Sequence, residues 1–151
     1  MNILFVCTGN TCRSPMAEAI LKFKQKNNSQ INLKVKSVGL SVVYGSKVAT
    51  ETKSVLKLNK LATRHIPTQI NKKVVDWADL ILTMTEDQCF AIKNALNLDN
   101  VHSFGSFVGY NDVVDPYGQG IERYKLTYGQ LDMYCDKLIE KLMFLKRSNN
   151  G

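Results

Sequence analysis

The chain has 151 residues, 44% of them hydrophobic, with 20 Lys and Arg against 13 Asp and Glu and a formal charge of +7. That is enough for one domain over residues 1–151 with a buried core and no disulfide staples; no apolar run nears the roughly 18 residues of a membrane span. No basic leader precedes the first apolar run, and four dispersed cysteines suit a reducing compartment, so a cytoplasmic monomer that does not engage a membrane is expected.

Only Lys72-Lys73 and Lys146-Arg147 are adjacent basic pairs, and no aromatic residues interleave the cations as in a base-stacking platform. Nucleic acid is therefore not an expected partner. The excess charge reads as solvated surface that also attracts anionic partners over a Debye length of roughly 8 Å at physiological salt.

Ile3-Leu4-Phe5-Val6 is a short apolar run of buried-strand type, and Met16 to Leu21 reads as helix. Between them lies Cys7-Thr8-Gly9-Asn10-Thr11-Cys12-Arg13-Ser14-Pro15. Ser14 is a favourable N-cap, Pro15 suits the first helical position and Glu18 the first turn, so a helix beginning at Arg13 or Ser14 is expected. Gly9 and Asn10 both tolerate the positive φ that a tight curl needs. Such a curl converges the amides of Thr8 to Ser14 above the positive end of the helix, where an oxyanion binds. The same amides, with Arg13, favour the thiolate of Cys7 and make it a nucleophile.

Further on, Ile31, Leu33 and Val35 alternate with polar residues, predicting a half-buried edge strand closed by Ser37-Val38-Gly39. Leu40 to Ser46 is turn-like, with Tyr44 a candidate for the rim of the site. Val48 to Ala62 reads as a helix with Val48, Val55, Leu58 and Ala62 on one face, ended by His65-Ile66-Pro67. His65 and His102 read as hydrogen-bonded structural residues; neither pairs with a second metal-type ligand, so no metal and no cofactor is expected.

Thr68 to Ala78 is expected as a helix, Asp79 to Met84 as a buried strand, and the next helix carries Cys89, Ile92 and Leu96 on its core face. Val101 to Phe104 is a short last strand. Gly105 to Gly120 is a long turn-rich connection of the kind that carries function. The final helix, Ile121 to Lys146, places Tyr128, Leu131, Cys135, Leu138, Leu142 and Leu145 on one face, and 147–151 is a frayed tail. Strands alternating with helices predict an α/β fold: three layers, with a four-stranded parallel sheet flanked by helices.

If the bound oxyanion is a phosphoryl group, thiolate attack on it expels a leaving group that needs a proton, so a carboxylic acid must reach its far side. Asp115 is the candidate, held extended by Pro116, with Asp112 as a neighbour that tunes it or a plain solvated carboxylate.

Cysteine, five residues, then Arg13-Ser14, placed at the N-terminus between strand and helix, resembles the low-molecular-weight protein tyrosine phosphatase family, and Asp115-Pro116-Tyr117 matches that family's general-acid segment. The resemblance implies a flavodoxin-like fold and phosphorylated proteins as substrates. It makes Cys7 the nucleophile, Arg13 the phosphate clamp and Asp115 the acid, and sets Tyr117 at the pocket mouth. Ser14 is expected to donate to the thiolate and Asn10 to fix the loop.

Thr11 stands where those enzymes carry Ile. Cys-Thr-Gly-Asn-Thr-Cys-Arg-Ser-Pro looks like the bacterial protein arginine phosphatase branch, which implies phosphoarginine as the preferred substrate, with phosphotyrosine the alternative. A wall hydroxyl pairs with a donor-rich phosphoguanidinium, whereas Ile offers only apolar contact. Arsenate reductases share the loop but need two further redox cysteines, and Cys89 stands alone before Cys135. A phosphate-binding or redox-sensing module without turnover is the non-enzymatic alternative. Cys12, on the same curl as Cys7, is either a redox partner that guards the nucleophile or a small buried filler.

Overall fold

The computed structural model describes residues 1–150, with Gly151 and the side chain of Asn150 outside the description. In chain order the elements are β1 (Asn2–Cys7), α1 (Arg13–Lys26), β2 (Lys34–Gly39), α2 (Thr50–Leu58), α3 (Lys72–Trp77), β3 (Leu80–Thr83), α4 (Glu86–Leu96), β4 (Val101–Ser103), α5 (Phe104–Val108) and α6 (Ile121–Asn150). The four strands form one parallel sheet in the order β2-β1-β3-β4. This is the expected three-layer α/β architecture, with β2 at an edge.

The period of two along β1 divides the core. Ile3, Phe5 and Cys7 pack with Met16, Ile20 and Leu21 of α1 and Leu131, Cys135 and Leu138 of α6. Leu4 and Val6 face the other way, onto Val75 of α3 and Ile92 of α4. The chain runs from β1 to β2 on one side of it, then crosses back over β1 to β3 on the other. A crevice therefore opens at the carboxyl end of β1, the position of Cys7.

Several elements differ from their sequence expectation. α1 does begin at Arg13, but its N-cap is Cys12 with no side-chain cap. Ser14 already lies inside the helix, Pro15 is its third residue, and Glu18 falls beyond the first turn. Only Asn10 takes a positive φ in the loop, 56°; Gly9 does not.

α2 is shorter than 48–62, and its buried residues are Thr52, Val55 and Leu56, with Leu58 67% exposed and Ala62 exposed. Lys60 adopts φ 59°, Leu61 N donates to Leu56 O at 2.9 Å and Lys60 N to Lys57 O at 3.0 Å. That is a Schellman ending, which the apolar spacing does not announce.

Residues 68–70 are not helical. Gly39 N donates to Thr68 O at 2.8 Å and Ile70 N to Gly39 O at 2.9 Å, lengthening the sheet edge before Asn71 caps α3. The 105–120 connection contains the short α5, capped by Ser103. Leu96 is 49% exposed, so only Cys89 and Ile92 serve the core face of α4. β2 begins at Lys34 rather than Ile31, and α6 continues through Arg147 to Asn150 where a frayed tail was expected.

Candidate active site

The loop from β1 to α1 curls around the sulfur of Cys7. Asn10 N donates to Cys7 Sγ at 3.3 Å, and Ser14 Oγ lies 2.9 Å from the same sulfur. Among the described residues no protein acceptor is paired with the backbone N–H groups of Gly9, Thr11, Cys12, Arg13 or Ser14. Five donors at a helix start are thus left for an anion.

Asn10 is the hub that holds this curl. Fully buried, it donates from Nδ2 to Ser14 Oγ at 2.7 Å and Ser37 Oγ at 3.0 Å. Its Oδ1 accepts from Thr68 N at 2.9 Å and pairs with His65 Nε2 at 2.8 Å. The main-chain donor at Thr68 fixes which end of the amide is oxygen. Ser14 Oγ therefore accepts from Asn10, and its own proton is free for Cys7 Sγ.

By the same logic Ser37 donates to Glu18 Oε1, at 2.7 Å. His65 Nε2 carries its proton toward Asn10, and Nδ1 lies 3.7 Å from Glu18 Oε1. Burial holds the His65 imidazole below its ordinary value, against the opposing pull of Glu18. Its structural role matches the sequence reading.

Gly39, at the end of β2, is required by this packing. A Cβ there would stand 2.7 Å from Thr8 O and 3.0 Å from Asn10 N, closer than main-chain atoms allow.

Arg13 is 5% exposed and donates from Nη1 to Val113 O at 3.1 Å; its Nη2 lies 3.6 Å from Asp115 Oδ2. Asp115 arrives on the loop before α6 with its side chain 55% exposed, and Oδ1 accepts from Tyr117 N at 3.1 Å. Asp112 is turned elsewhere: it accepts from Glu86 N at 3.0 Å, at the start of α4.

A cleft of about 440 Å³ joins these groups, lined by Cys7, Thr8, Gly9, Thr11, Cys12 and Arg13 of the curl and by Asp115 and Tyr117 of the loop before α6. Ser41, Val43, Ser46, Lys47 and Ala49, from the segment after β2, complete the lining. Tyr44 is fully exposed and is not among the lining residues; its neighbour Val43 is. Ser46 Oγ is the one buried side-chain polar atom without a partner among the described residues.

Cys12 is buried, and its sulfur lies 3.3 Å from the hydroxyl of Tyr124, itself fully buried on α6. Burial pushes both groups upward, so each stays protonated at neutral pH. All four cysteines are free thiols.

The family model for the low molecular weight phosphotyrosine protein phosphatase matches residues 2–148. The chain belongs to that family. It is 38% identical over 144 residues, covering 93% of this chain and 95% of the relative, to a protein-arginine-phosphatase of Geobacillus stearothermophilus. It is 36% identical over 140 residues, 91% of this chain and 97% of the relative, to the low molecular weight protein-tyrosine-phosphatase PtpB of Staphylococcus haemolyticus. The solved structure of the YwlE arginine phosphatase from Geobacillus stearothermophilus superposes with a TM-score of 0.88 at 36% identity, over 97% of this chain and 96% of that one.

The sequence pattern does not reveal the lining residues Ser41, Val43, Ser46, Lys47 and Ala49, pointing instead to Tyr44, nor does it mark Tyr124 and Gln88. Tyr124 was findable, because Tyr124, Tyr128 and Leu131 extend the three-and-four face of α6 by one turn. The 41–49 segment carries no periodic signal at all. Its path is set by Ser41 N donating to Thr8 O and Ala49 N donating to Thr11 O, contacts that only the fold supplies.

Proposed function

We propose that the chain is a cysteine-dependent protein phosphatase that hydrolyses phosphoarginine in proteins, acting as a cytoplasmic monomer. The observation that carries the reading is the environment of Cys7 Sγ: a Ser14 hydroxyl at 2.9 Å, the Asn10 amide at 3.3 Å, and free loop amides around it. No helix among the described residues is long and apolar enough to cross a membrane.

In the proposed cycle the Cys7 thiolate attacks phosphorus in line. Arg13 and the loop amides hold the non-bridging oxygens, Arg13 in a bidentate pair. The S–P bond forms as the P–N bond of phosphoarginine breaks, and Asp115 gives its proton to the departing guanidine nitrogen. Asp115, now a carboxylate, takes a proton from water as that water attacks the thiophosphoryl group. Inorganic phosphate leaves and the Cys7 thiolate returns, supported by the Ser14 proton.

Phosphoarginine is favoured over phosphotyrosine by Thr11 in the cleft lining, and fits the name of the Geobacillus relative. Tyr117 and Val43 are exposed lining residues at the mouth; Tyr44 is left outward as a contact for the protein that carries the phosphoresidue. Phosphotyrosine remains the second reading, supported by the Staphylococcus relative. Steady-state kinetics on phosphoarginine and phosphotyrosine peptides with wild type and Thr11→Ile test the choice. A shift of preference toward phosphotyrosine in the variant is expected, and an unchanged preference removes Thr11 from the argument.

Cys12 is the proposed redox partner. Peroxide oxidises the Cys7 thiolate to a sulfenic acid, and the Cys12 thiol displaces water from it to give a disulfide that thiol reductants reopen. Recovery after peroxide in wild type but not in Cys12→Ser is the expected result, and equal recovery in both contradicts it.

A further inference from the structure

We propose that Thr8 is a specificity-determining residue: its hydroxyl, oriented by Gln88, accepts a hydrogen bond from the guanidine of the substrate. The proposal rests on the phosphoarginine reading above and adds to it a polar contact at the cleft separate from Thr11.

Gln88 is the third residue of α4 and is 7% exposed. Its Oε1 accepts from Met84 N at 3.0 Å and from Thr85 N at 3.1 Å, while Gln88 N donates to Thr85 Oγ1 at 3.2 Å, a complete capping box. Two main-chain donors cannot face an amide nitrogen, so the end directed at Thr8 is Nε2. It lies 3.1 Å from Thr8 Oγ1. The Thr8 hydroxyl is thus an acceptor toward the protein, and one lone pair and the O–H proton remain for the cleft. Its main chain is held too, since Thr8 O accepts from Ser41 N at 2.9 Å.

Depth decides which part of a substrate meets that hydroxyl. Cys7, Cys12 and Arg13 form a buried floor, whereas Thr8, Val43, Lys47 and Tyr117 are exposed. A phosphoryl group seated on the loop amides occupies the floor, so the leaving group passes the exposed residues. A guanidine carries N–H donors in its plane, and the free lone pair of Thr8 accepts one. The edge of a phenol ring presents only C–H at the same place. The Thr8 proton then goes to a phosphoryl oxygen or to water, which leaves every polar atom of the group paired.

The test compares kcat/KM for phosphoarginine and phosphotyrosine peptides of otherwise identical sequence, together with inhibition by inorganic phosphate. Thr8 is exposed, so its variants are expected to fold. Thr8→Val should lower the ratio of phosphoarginine to phosphotyrosine kcat/KM about tenfold, and Thr8→Ser should restore that ratio.

Gln88→Glu keeps an acceptor for the Met84 and Thr85 amides but turns the Thr8 proton toward itself, freeing the second lone pair. The phosphoarginine preference should rise in this variant, and the gain should vanish in Thr8→Val/Gln88→Glu; a gain that persists overturns the positioning role of Gln88. Equal losses on both substrates with weaker phosphate inhibition would put the hydroxyl on the phosphoryl group, and no loss on either would remove it from the substrate. Each result overturns the Thr8 assignment alone. A wild type that leaves phosphoarginine intact overturns the substrate reading itself.

Discussion

The floor of the cleft and its walls are built on opposite principles. The floor is a main-chain device: Asn10 is fully buried and ties together Ser14, Ser37, Thr68 and His65, and almost nothing in it is free to move without leaving a buried polar group unpaired. The walls are exposed side chains on turns, with Tyr117 73% and Val43 72% exposed, and the proposed acid Asp115 reaches the site from a loop. On the proposed reading, chemistry common to phosphate esters and phosphoramidates is done where the backbone dictates geometry. Choice of substrate then falls to side chains, Thr8 and Thr11 among them, that the buried hub does not use.

That contrast can be broken at several places. The largest effect is expected at the floor: Cys7→Ser should abolish turnover of any aryl phosphate or phosphoarginine peptide, a loss on the order of 10⁶-fold in kcat, with an unchanged circular dichroism melt. Asp115→Asn comes next, lowering kcat by about 10² to 10⁴-fold. The same variant should leave stability within about 1 kcal/mol of wild type in urea unfolding, because its ion pair with Arg13 is long and half-exposed.

Asn10→Ala is expected to act on the fold itself. It strands the Thr68 amide and removes the partner of Ser14 and Ser37, a cost of about 3 kcal/mol, or a melting point lower by roughly 6 °C or more. A variant that melts like wild type would show that the hub is dispensable.

The smallest effect lies away from the cleft. Hydrogen bonds from Ser106 and Ser103 hold the Glu86 carboxyl below its usual 4.5. A carboxylate depressed in the folded state stabilises the protein above its unfolded value, and that contribution is lost as pH falls through the folded value. Glu86→Gln should therefore be less stable than wild type at pH 7 by under about 1 kcal/mol, with the difference closing below pH 4.5. A gap that stays constant with pH would assign the effect to packing.

The same contrast explains what could be read in advance. The Cys7 to Ser14 loop was legible because strand, curl and helix are contiguous and each residue type has a local reason to be there. So were the four parallel strands, three from short apolar runs and β2 from the alternation at Ile31, Leu33 and Val35, although that strand runs over Lys34–Gly39. Ser14 was misread as a cap because propensity describes an isolated helix, whereas here its hydroxyl serves the sulfur seven residues earlier. α2 ends in a local turn whose left-handed position is held by Lys60 and not by a glycine that would announce it. The extended stretch at 68–70 depends on pairing with distant backbone at Gly39, which no window along the chain contains. Gln88, eighty residues from Thr8, was invisible for the same reason. Tyr44 was chosen as an aromatic on a promising loop, and it is Val43 beside it that lines the cleft.

The central claim is that a covalent phosphoryl group passes through Cys7. It is tested most directly by rapid acid quench of the enzyme with a phosphoarginine peptide, followed by digestion and mass spectrometry, using Asp115→Asn to slow release. The account predicts one phosphoryl group on the peptide containing Cys7, formed within the first turnover and absent from Cys7→Ala. Turnover without any labelled Cys7, or a label on another residue that persists in Cys7→Ala, would contradict it.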